Sequence, residues 1–376
     1  MDFRSYESAR LELTPGVTVF QGKNGQGKTN LVEAVEFIST LASHRVSQDL
    51  PLLRFGTSQA VIRAQVFAGL DDPRRILLEL EINQGKPNRA KLNRGQLPKA
   101  SDILGMLRVV LFSPDDLNIV KGDPSDRRRF LDEVVVSRWP RMAGVKSDYD
   151  RVLRQRNALL KQIAGRSGVG GDLDDEYTLA IWDEQLCGFG AELLAARLDS
   201  LTEMMPFAAN AYEQIAPTNN VISASYKGSF ELPEESSNAS LREAMRAQLQ
   251  ARRDEEIARG VTLLGPHRDD VTLGIGQLPA KGYASHGEGW SLALSLRLAT
   301  FQLLVSDGIS PVLILDDVFA ELDQERRQRL ADAVLDSEQV LVTAAVGTDV
   351  PEKLNGRYFD VTRGHVEPAE SGAGDE

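Results

Sequence analysis

The sequence is poor in several things at once. It has one cysteine, Cys187, and four histidines, so no internal disulfide can form and no Cys/His spacing marks a zinc site. No window approaches ~18 consecutive apolar residues, and the opening MDFRSYESAR carries charges where a secretory leader needs an apolar stretch. These two absences predict a cytoplasmic protein with no contact to membrane. Positive charge is also scarce: 43 Lys and Arg face 55 Asp and Glu, a formal net charge of -12, so any surface for nucleic acid must be local. There is no internal repeat. What is present is 376 residues, 42% hydrophobic and 26% charged, room for two to three domains of ~100–200 residues and a composition that folds around a core.

The first motif sits near the start. A strand candidate, VTVF (17–20), runs into GKNGQGKT (22–29) and then into TNLVEAVEFISTLA, which has apolar residues at helical spacing. Strand, glycine loop and helix form the context a phosphate loop requires. Gly22, Lys23, Asn24, Gly25, Gln26, Gly27, Lys28 and Thr29 would turn backbone N–H groups toward phosphate oxygens at a helix N-terminus. Lys28, expected as an exposed loop residue that supports little core, would reach the outer phosphates of ATP, and Thr29 would offer its hydroxyl to Mg²⁺. A second motif, PVLILDD (311–317), is an apolar strand ending in two carboxylates. It places Asp316 near the metal and Asp317 beside the terminal phosphate, as the base that positions a water. Lys28 and Asp316 lie 288 positions apart, yet must meet at one nucleotide, so the chain leaves the nucleotide-binding sheet and returns.

The excursion shows in the pattern. Between 60 and 93, AVIRAQVFA, RILLELEI and RAKLN alternate apolar and polar residues between turn signals, predicting an antiparallel β subdomain. RVVLF (108–112) is a buried strand, and from about 125 to 260 the texture is helical. DYDRVLRQRNALLKQIA places Tyr149, Val152, Leu153, Leu159, Leu160 and Ile163 on one stripe, and a second periodic run covers 176–205. GRSGVGG (165–171) reads as a flexible tip between them, while VTLL and VTLGI near 261–275 read as strands returning to the sheet. The expected architecture is α/β: a phosphate-loop ABC-type ATPase head, a mixed sheet with helices plus the antiparallel subdomain, carrying an inserted mainly helical arm. Its boundaries are 1–114 and 261–364 for the head, 115–260 for the arm, and 365–376 for an acidic disordered tail.

Before the helix WSLALSLRLATFQLL lies YASHGEGWS (283–291), whose Ser285 and Gly287 open the helix N-terminus. The segment resembles the ABC signature, which caps the terminal phosphate held by a second subunit. AELD (320–323) resembles the loop that carries an aspartate, here Asp323, across the same dimer interface. DFRSY, GQGKTNLVEA, SHRVS (43–47), PDDLNIVKGDPSDRRRFLD (114–132), YDRVLRQRNALL (149–160), GPHRDD (265–270), SHGEGWSLAL and LDDVFAELD together resemble the RecF family of recombination-mediator ATPases, related to SMC and Rad50 heads. The resemblance implies a cytoplasmic, DNA-binding, slow ATPase of DNA repair, replication and the SOS response. Such a protein dimerises with ATP and works with RecR and RecO to place RecA at single-strand gaps. The chain departs from the family at Lys23, where proline is common, and in having little sequence before DFRSY. SPDD (113–116) stands where ABC heads use a glutamine, which leaves Asp115 and Asp116 as alternatives for its place. An SMC-like chromosome-organising head, a transporter head and a phosphate-loop small-molecule kinase are the rival readings. The first needs a far longer coiled coil, the second a hydrophobic dock, and the third has no use for a trans-acting serine.

DNA is expected on the arm. Eleven Lys and Arg face six acids between 121 and 161, a local balance of +5 on an acidic chain, which suits phosphate recognition without base readout. Arg151, Arg154 and Lys161 are the leading candidates, with Arg127 and Arg128 next, and Arg45, His267 and Arg268 behind them. The competing reading is a solvated face with internal pairs, such as Arg151 with Asp148 or Arg127 and Arg128 with Asp132.

Overall fold

A computed structural model supplies the coordinates and describes residues 1–70, 72–165, 173–216 and 221–369. The chain opens with strand β1 (Gly16–Gln21) and helix α1 (Lys28–Thr40), followed by strands β2 (Gln59–Gly69), β3 (Asp72–Asn83), β4 (Arg89–Leu92), β5 (Gly95–Gln96) and β6 (Val109–Phe112). Helices α2 (Leu117–Lys121), α3 (Pro124–Arg138), α4 (Met142–Gly165) and α5 (Leu173–Ile215) come next. Strand β7 (Ile222–Lys227), helices α6 (Asn238–Ala251) and α7 (Arg253–Arg259), and strands β8 (Asp270–Ile275) and β9 (Leu278–Pro279) follow. The last part holds helices α8 (Ala280–Tyr283) and α9 (His286–Ser306), strand β10 (Val312–Asp316), helix α10 (Gln324–Val334), and strands β11 (Gln339–Ala344), β12 (Arg357–Thr362) and β13 (His365–Pro368).

Packing divides the chain into two units. The head comprises Met1–Leu117, Asn210–Asn219 and Trp290–Glu376; the arm comprises Asn118–Ala209 and Asn220–Gly289. The head sheet has the order β13-β12-β1-β11-β10-β6. All its neighbours are parallel except the edge pair β12–β13. Successive residues on its strands serve opposite faces, as the two-residue period of a strand demands. Val19, Val110, Leu313, Leu315, Val340 and Val342 pack into one cluster with Leu294, Leu298, Leu330 and Val334 of α9 and α10. Phe20, Leu111, Ile314 and Leu341 pack into another with Leu31 and Val32 of α1. Burial on both faces explains why these strands read as apolar runs rather than alternations. The antiparallel sheet β2-β3-β4-β5 is the expected β subdomain; Leu78, Leu80 and Ile82 on one face of β3 pack with Phe37 and Ile38 of α1.

In the arm, the α4 stripe buries Tyr149, Val152, Leu160 and Ile163, with Leu153 and Leu159 half-buried. Tyr149 and Val152 share a cluster with Leu186 and Leu194 of α5 and with Leu241, Met245 and Leu249 of α6. The second periodic run is longer than its pattern, since α5 covers 43 residues. One expectation is corrected. VTLL forms no strand, and VTLGI becomes β8 in a separate three-stranded sheet, β7-β8-β9, so it does not return to the head sheet. A strand's own residues do not choose its partner, and Ile222–Lys227 supplies a full antiparallel register for β8. The tail is also corrected at its start, because His365–Pro368 pairs with β12. The rest of the tail from 370, like 166–171 of the GRSGVGG segment, lies outside the described residues. Among the described residues no helix is long and apolar enough to cross a membrane.

Candidate nucleotide site

Strands β1, β11, β10 and β6 run parallel, so their carboxyl ends share one edge of the head sheet, where α/β sheets bind ligands. The loop after β1 needs glycine at two points for both strain and space. Gly22 has φ 147°, and a Cβ there would lie 2.4 Å from the Val361 carbonyl oxygen. Gly27 has φ 112°, and its Cβ would meet the Ser5 and Tyr6 hydroxyls at 3.0 Å. The Tyr6 hydroxyl donates to the Gly27 carbonyl at 3.1 Å. From the β12–β13 turn, the Arg363 N–H donates to Gln26 Oε1 at 2.8 Å and the Gly364 N–H to the Gln26 carbonyl at 3.2 Å. The loop is therefore held from two places, by the DFRSY segment and by that turn. It opens into α1, whose first turn carries no acid, so the positive end of the helix dipole is left for an anion.

Lys28 corrects its expectation: it is 3% exposed, not a surface residue. Its Nζ donates to the Gly22 carbonyl at 2.7 Å, with the Lys23 carbonyl and Asn24 Oδ1 each at 3.4 Å. No carboxylate pairs with it among the described residues. The ammonium is curled into the loop on neutral acceptors that an anion can replace.

The two distant motifs meet. Thr29 Oγ1 donates to Asp316 Oδ1 at 3.0 Å across 287 positions, and the hydroxyl of Thr343, at the end of β11, donates to the same oxygen at 2.6 Å. Asp316 is buried, and burial raises its carboxyl above the usual range; the Thr343 bond opposes that rise and the charge of Asp317 adds to it. A site that disfavours its own anion gains from a cation. Asp317 sits half-buried in the left-handed region at φ 52°, with its N–H on Thr343 Oγ1 at 2.9 Å. A non-glycine residue in that conformation stores strain of the kind found at functional sites.

Two residues absent from the sequence reading join this edge, Thr343 and His44. His44 Nδ1 is 2.6 Å from Glu36 Oε2, and its Nε2 is 3.8 Å from Asp316 Oδ2. Burial alone would lower the imidazole, but the Glu36 hydrogen bond and the charges of Glu36, Asp316 and Glu33 turn the net shift upward. The available signal was SHRVS itself, a histidine shortly after the phosphate-loop helix. Thr343 carried no signal, because one hydroxyl at the end of an apolar strand is ordinary. Arg45 is held on α1 by Asn30 Oδ1 at 2.8 Å and Glu33 Oε2 at 3.2 Å. In the SPDD segment, Asp116 is buried and accepts from Arg297 Nε at 2.9 Å and Nη2 at 2.8 Å, whereas Asp115 is exposed.

The remaining candidates occupy separate places. Ser285 forms a reciprocal cap with Glu288 at the start of α9: its N–H donates to Glu288 Oε2 at 2.9 Å and its Oγ accepts from the Glu288 N–H at 3.3 Å. Gly287 lies in the first turn of that helix. Asp323 caps α10, accepting from the Arg326 N–H at 2.9 Å.

Most of the eleven Lys and Arg between 121 and 161 are engaged internally. Arg127 is buried and pairs with Asp270 at 2.7 Å, Arg128 donates to the Asp269 carbonyl at 2.7 Å, and Asp132 pairs instead with Arg197. Arg156 is fully buried between Asp183 and Glu256, 2.7 Å from each. Arg138, Arg141 and Lys146 also hold carboxylates, and Arg151 pairs with Asp148 at 2.9 Å. Arg154 and Lys161 are exposed with no ion pair among the described residues. In the GPHRDD turn, His267 Nδ1 meets the Tyr149 hydroxyl at 2.7 Å, and Arg268 donates to the Thr262 carbonyl.

A parallel sheet with a glycine loop at one strand end, a threonine bonded to a strand-end aspartate, and a separate antiparallel subdomain define an ABC-type ATPase head. The profile described as "RecF/RecN/SMC N terminal domain" matches residues 1–356. A curated relative from Cutibacterium acnes (strain DSM 16379 / KPA171202), "DNA replication and repair protein RecF", is 57% identical over 378 residues, covering 97% of this chain and 96% of its own. A second, of the same name, from Streptomyces avermitilis, is 56% identical over 97% of each chain. Among solved structures, one described as "the recombination mediator protein RecF-ATP in RecFOR pathway" superposes with a TM-score of 0.88 at 29% identity, over 98% of this chain and 96% of that one. An Smc head bound to the C-winged helix domain of ScpA shares the fold alone, at 15% identity, a TM-score of 0.56, and 98% and 96% coverage. The chain belongs to the RecF family.

Proposed function

We propose that this chain is an ATP-driven recombination mediator: ATP closes two copies into a dimer, the dimer holds DNA, and slow hydrolysis releases it. The observation that carries the reading is the Thr29–Asp316 hydrogen bond, which joins a phosphate loop to a metal-type aspartate far away in sequence. The family's relatives, named for DNA replication and repair, and the RecF-ATP structure support it. Lys28 would leave its carbonyl acceptors for the outer phosphates. Thr29 and Asp316 would hold Mg²⁺, which supplies positive charge against the phosphate oxygens. Such an ion takes few protein ligands and would complete its shell with phosphate and water. Asp317 would orient and polarise the attacking water. Ser285 and Gly287, with Asp323, would meet the nucleotide of the second copy, the Ser285 and Asp323 side chains giving up their capping bonds to do so.

In this reading the cytoplasmic dimer acts with RecR and RecO to place RecA at single-strand gaps during repair and the SOS response. The arm would be the DNA-contacting insertion, with Arg154 and Lys161 among its exposed cations that have no ion pair in the described residues. The longest described helix, 43 residues, is short for a chromosome-organising coiled coil. The test is to measure ATP affinity, mass and turnover together for the wild type, Lys28→Ala and Asp317→Asn. Wild type should double in mass with ATP. Lys28→Ala should bind ATP roughly 10- to 100-fold more weakly, the value of a charged hydrogen-bonding group, and stay monomeric. Asp317→Asn should bind ATP normally and accumulate as the dimer because hydrolysis slows. Unaltered ATP affinity in Lys28→Ala would end the reading.

A further inference from the structure

We propose that His44 is a positioning residue for the divalent cation: anchored by Glu36, it fixes the open oxygen of Asp316 and the water shell in front of it. The inference rests on the ATP and Mg²⁺ reading above and extends it to a residue outside the loop and the strand-end carboxylates. It begins with two carboxylates on α1 that have no obvious reason to be there. Glu33 and Glu36 are 0% and 8% exposed, on a helix face where an apolar residue would be easier to bury. Both hold the segment that follows the helix. Glu33 takes the Ser43 hydroxyl at 2.6 Å and Arg45 at 3.2 Å, and is closed from the other side by Arg4. Glu36 takes His44 Nδ1 at 2.6 Å. Three consecutive residues are thus tied to one helix by two buried acids.

The outcome of that arrangement is the aim of one imidazole nitrogen. Oδ1 of Asp316 already accepts two hydroxyls, from Thr29 and Thr343. Oδ2 is the oxygen they leave, and His44 Nε2 stands 3.8 Å from it. That distance is too long for a direct hydrogen bond and short enough for one water to be shared between the two. Magnesium keeps several of its waters, so a cation at Asp316 brings such a water with it. Partners of metal-ligating carboxylates set ligand orientation, and losing one typically costs 10- to 100-fold in metal affinity. The chain Glu36–His44–Asp316 has that form, with the histidine outside the metal's own ligands.

The experiment reads the metal directly. Mn²⁺ serves as the probe, titrated by electron paramagnetic resonance into nucleotide-saturated wild type, His44→Ala, His44→Gln and Glu36→Gln, alongside ATP affinity in EDTA. His44→Ala should lose about 10- to 100-fold in Mn²⁺ affinity while its metal-free ATP affinity stays within about twofold. His44→Gln, whose side-chain amide can reach toward the Nε2 position, should recover part of the loss. Glu36→Gln should fall between wild type and His44→Ala, because the ring stays but is less firmly held. Wild-type Mn²⁺ affinity in His44→Ala would overturn the proposal, as would an equal loss of metal-free ATP binding, which would mark a purely structural role. Should wild type itself bind no ATP, the nucleotide reading fails first, a result distinguishable from failure at His44.

Discussion

The nucleotide edge of the head and the arm treat charge in opposite ways, although elsewhere in the head buried charges pair as they do in the arm, Glu33 with Arg4 and Asp116 with Arg297. At that edge Lys28 is buried on carbonyl and amide oxygens, Asp316 is buried on hydroxyls with His44 Nε2 3.8 Å away, and Asp317 is half-buried with no ion pair among the described residues. In the arm, buried Arg127, Arg138, Arg156 and Arg197 each hold at least one carboxylate. Removing an ion from water costs several kcal/mol unless an opposite charge and hydrogen bonds offset it. Buried charges that satisfy each other are architecture. At the sheet edge the direct hydrogen-bond partners of Lys28 and Asp316 are neutral, which leaves much of their attraction for a ligand, and burial holds the Asp316 carboxyl above its usual range.

The comparison breaks most visibly at Arg156. Its guanidinium bonds Asp183, Glu256 and the Thr262 hydroxyl, so Arg156→Ala leaves two carboxylates buried together. It should destabilise the arm by about 3–5 kcal/mol, the usual cost of breaking a buried pair from one side. Urea unfolding followed by arm tryptophans such as Trp182 would measure this, with ATP affinity per head as the internal control. A loss under about 1 kcal/mol would put the triad on the level of surface pairs and remove the contrast with the head.

The parts of this molecule legible in sequence are those whose chemistry is local. GKNGQGKT and LILDD carry spacing, strand and turn signals within a few residues, and the helical stripe of α4 carries its own period. What stayed hidden depends on distance along the chain. Arg127 finds Asp270 across 143 positions, so a count of charges between 121 and 161 could not tell a free arginine from an engaged one. β8 looked like a head strand because apolar alternation names a strand without naming its sheet. Lys28 looked exposed because a glycine loop is usually surface, yet the loop closes over it, its carbonyls accepting from the ammonium. His44 was within reach as a motif, but its approach to Asp316 required knowing how α1 and the β10 edge pack.

A second prediction sharpens the contrast through pH. His267, in the arm, is pushed down to about 4, chiefly by burial, with Arg268 and Arg128 lowering it further and its bond to the Thr262 carbonyl opposing the fall. The unfolded chain takes up its proton near 6.5, so between 6.5 and about 4 the unfolded state binds more protons than the folded one. The histidine's contribution is therefore intact above 6.5 and lost as pH falls, about 3 kcal/mol over the window. Asp269, two residues on and shifted upward by burial, works in the opposite sense, so a variant is needed to isolate the effect. His267→Asn keeps a polar atom near the Tyr149 hydroxyl without titrating, and its unfolding free energy should fall less than that of wild type between pH 6.5 and 4.5. Parallel curves would mean the imidazole is protonated in place, and that the arm tolerates a cation no carboxylate holds.

The smallest expected effect lies on the surface of the arm, where, on the proposed DNA-binding reading, the comparison predicts which cations remain for phosphate. Arg151 shares its charge with Asp148 at 2.9 Å; exposed Arg154 and Lys161 have no such partner among the described residues. Phosphate binding draws its affinity from counterions released by unneutralised cations, about 0.9 in the slope of log affinity against log salt per contact. Arg154→Ala with Lys161→Ala should therefore flatten that slope by up to about 1.8, and weaken binding alike on every sequence, with ATP present. Arg151→Ala should do less than either change alone, since the DNA must first compete with Asp148 for its guanidinium. A salt titration on duplex and gapped DNA decides between them. If Arg151→Ala flattens the slope as much as Arg154→Ala, exposed pairs open freely to phosphate, and only burial, not pairing, separates the arm's structural arginines from its functional ones.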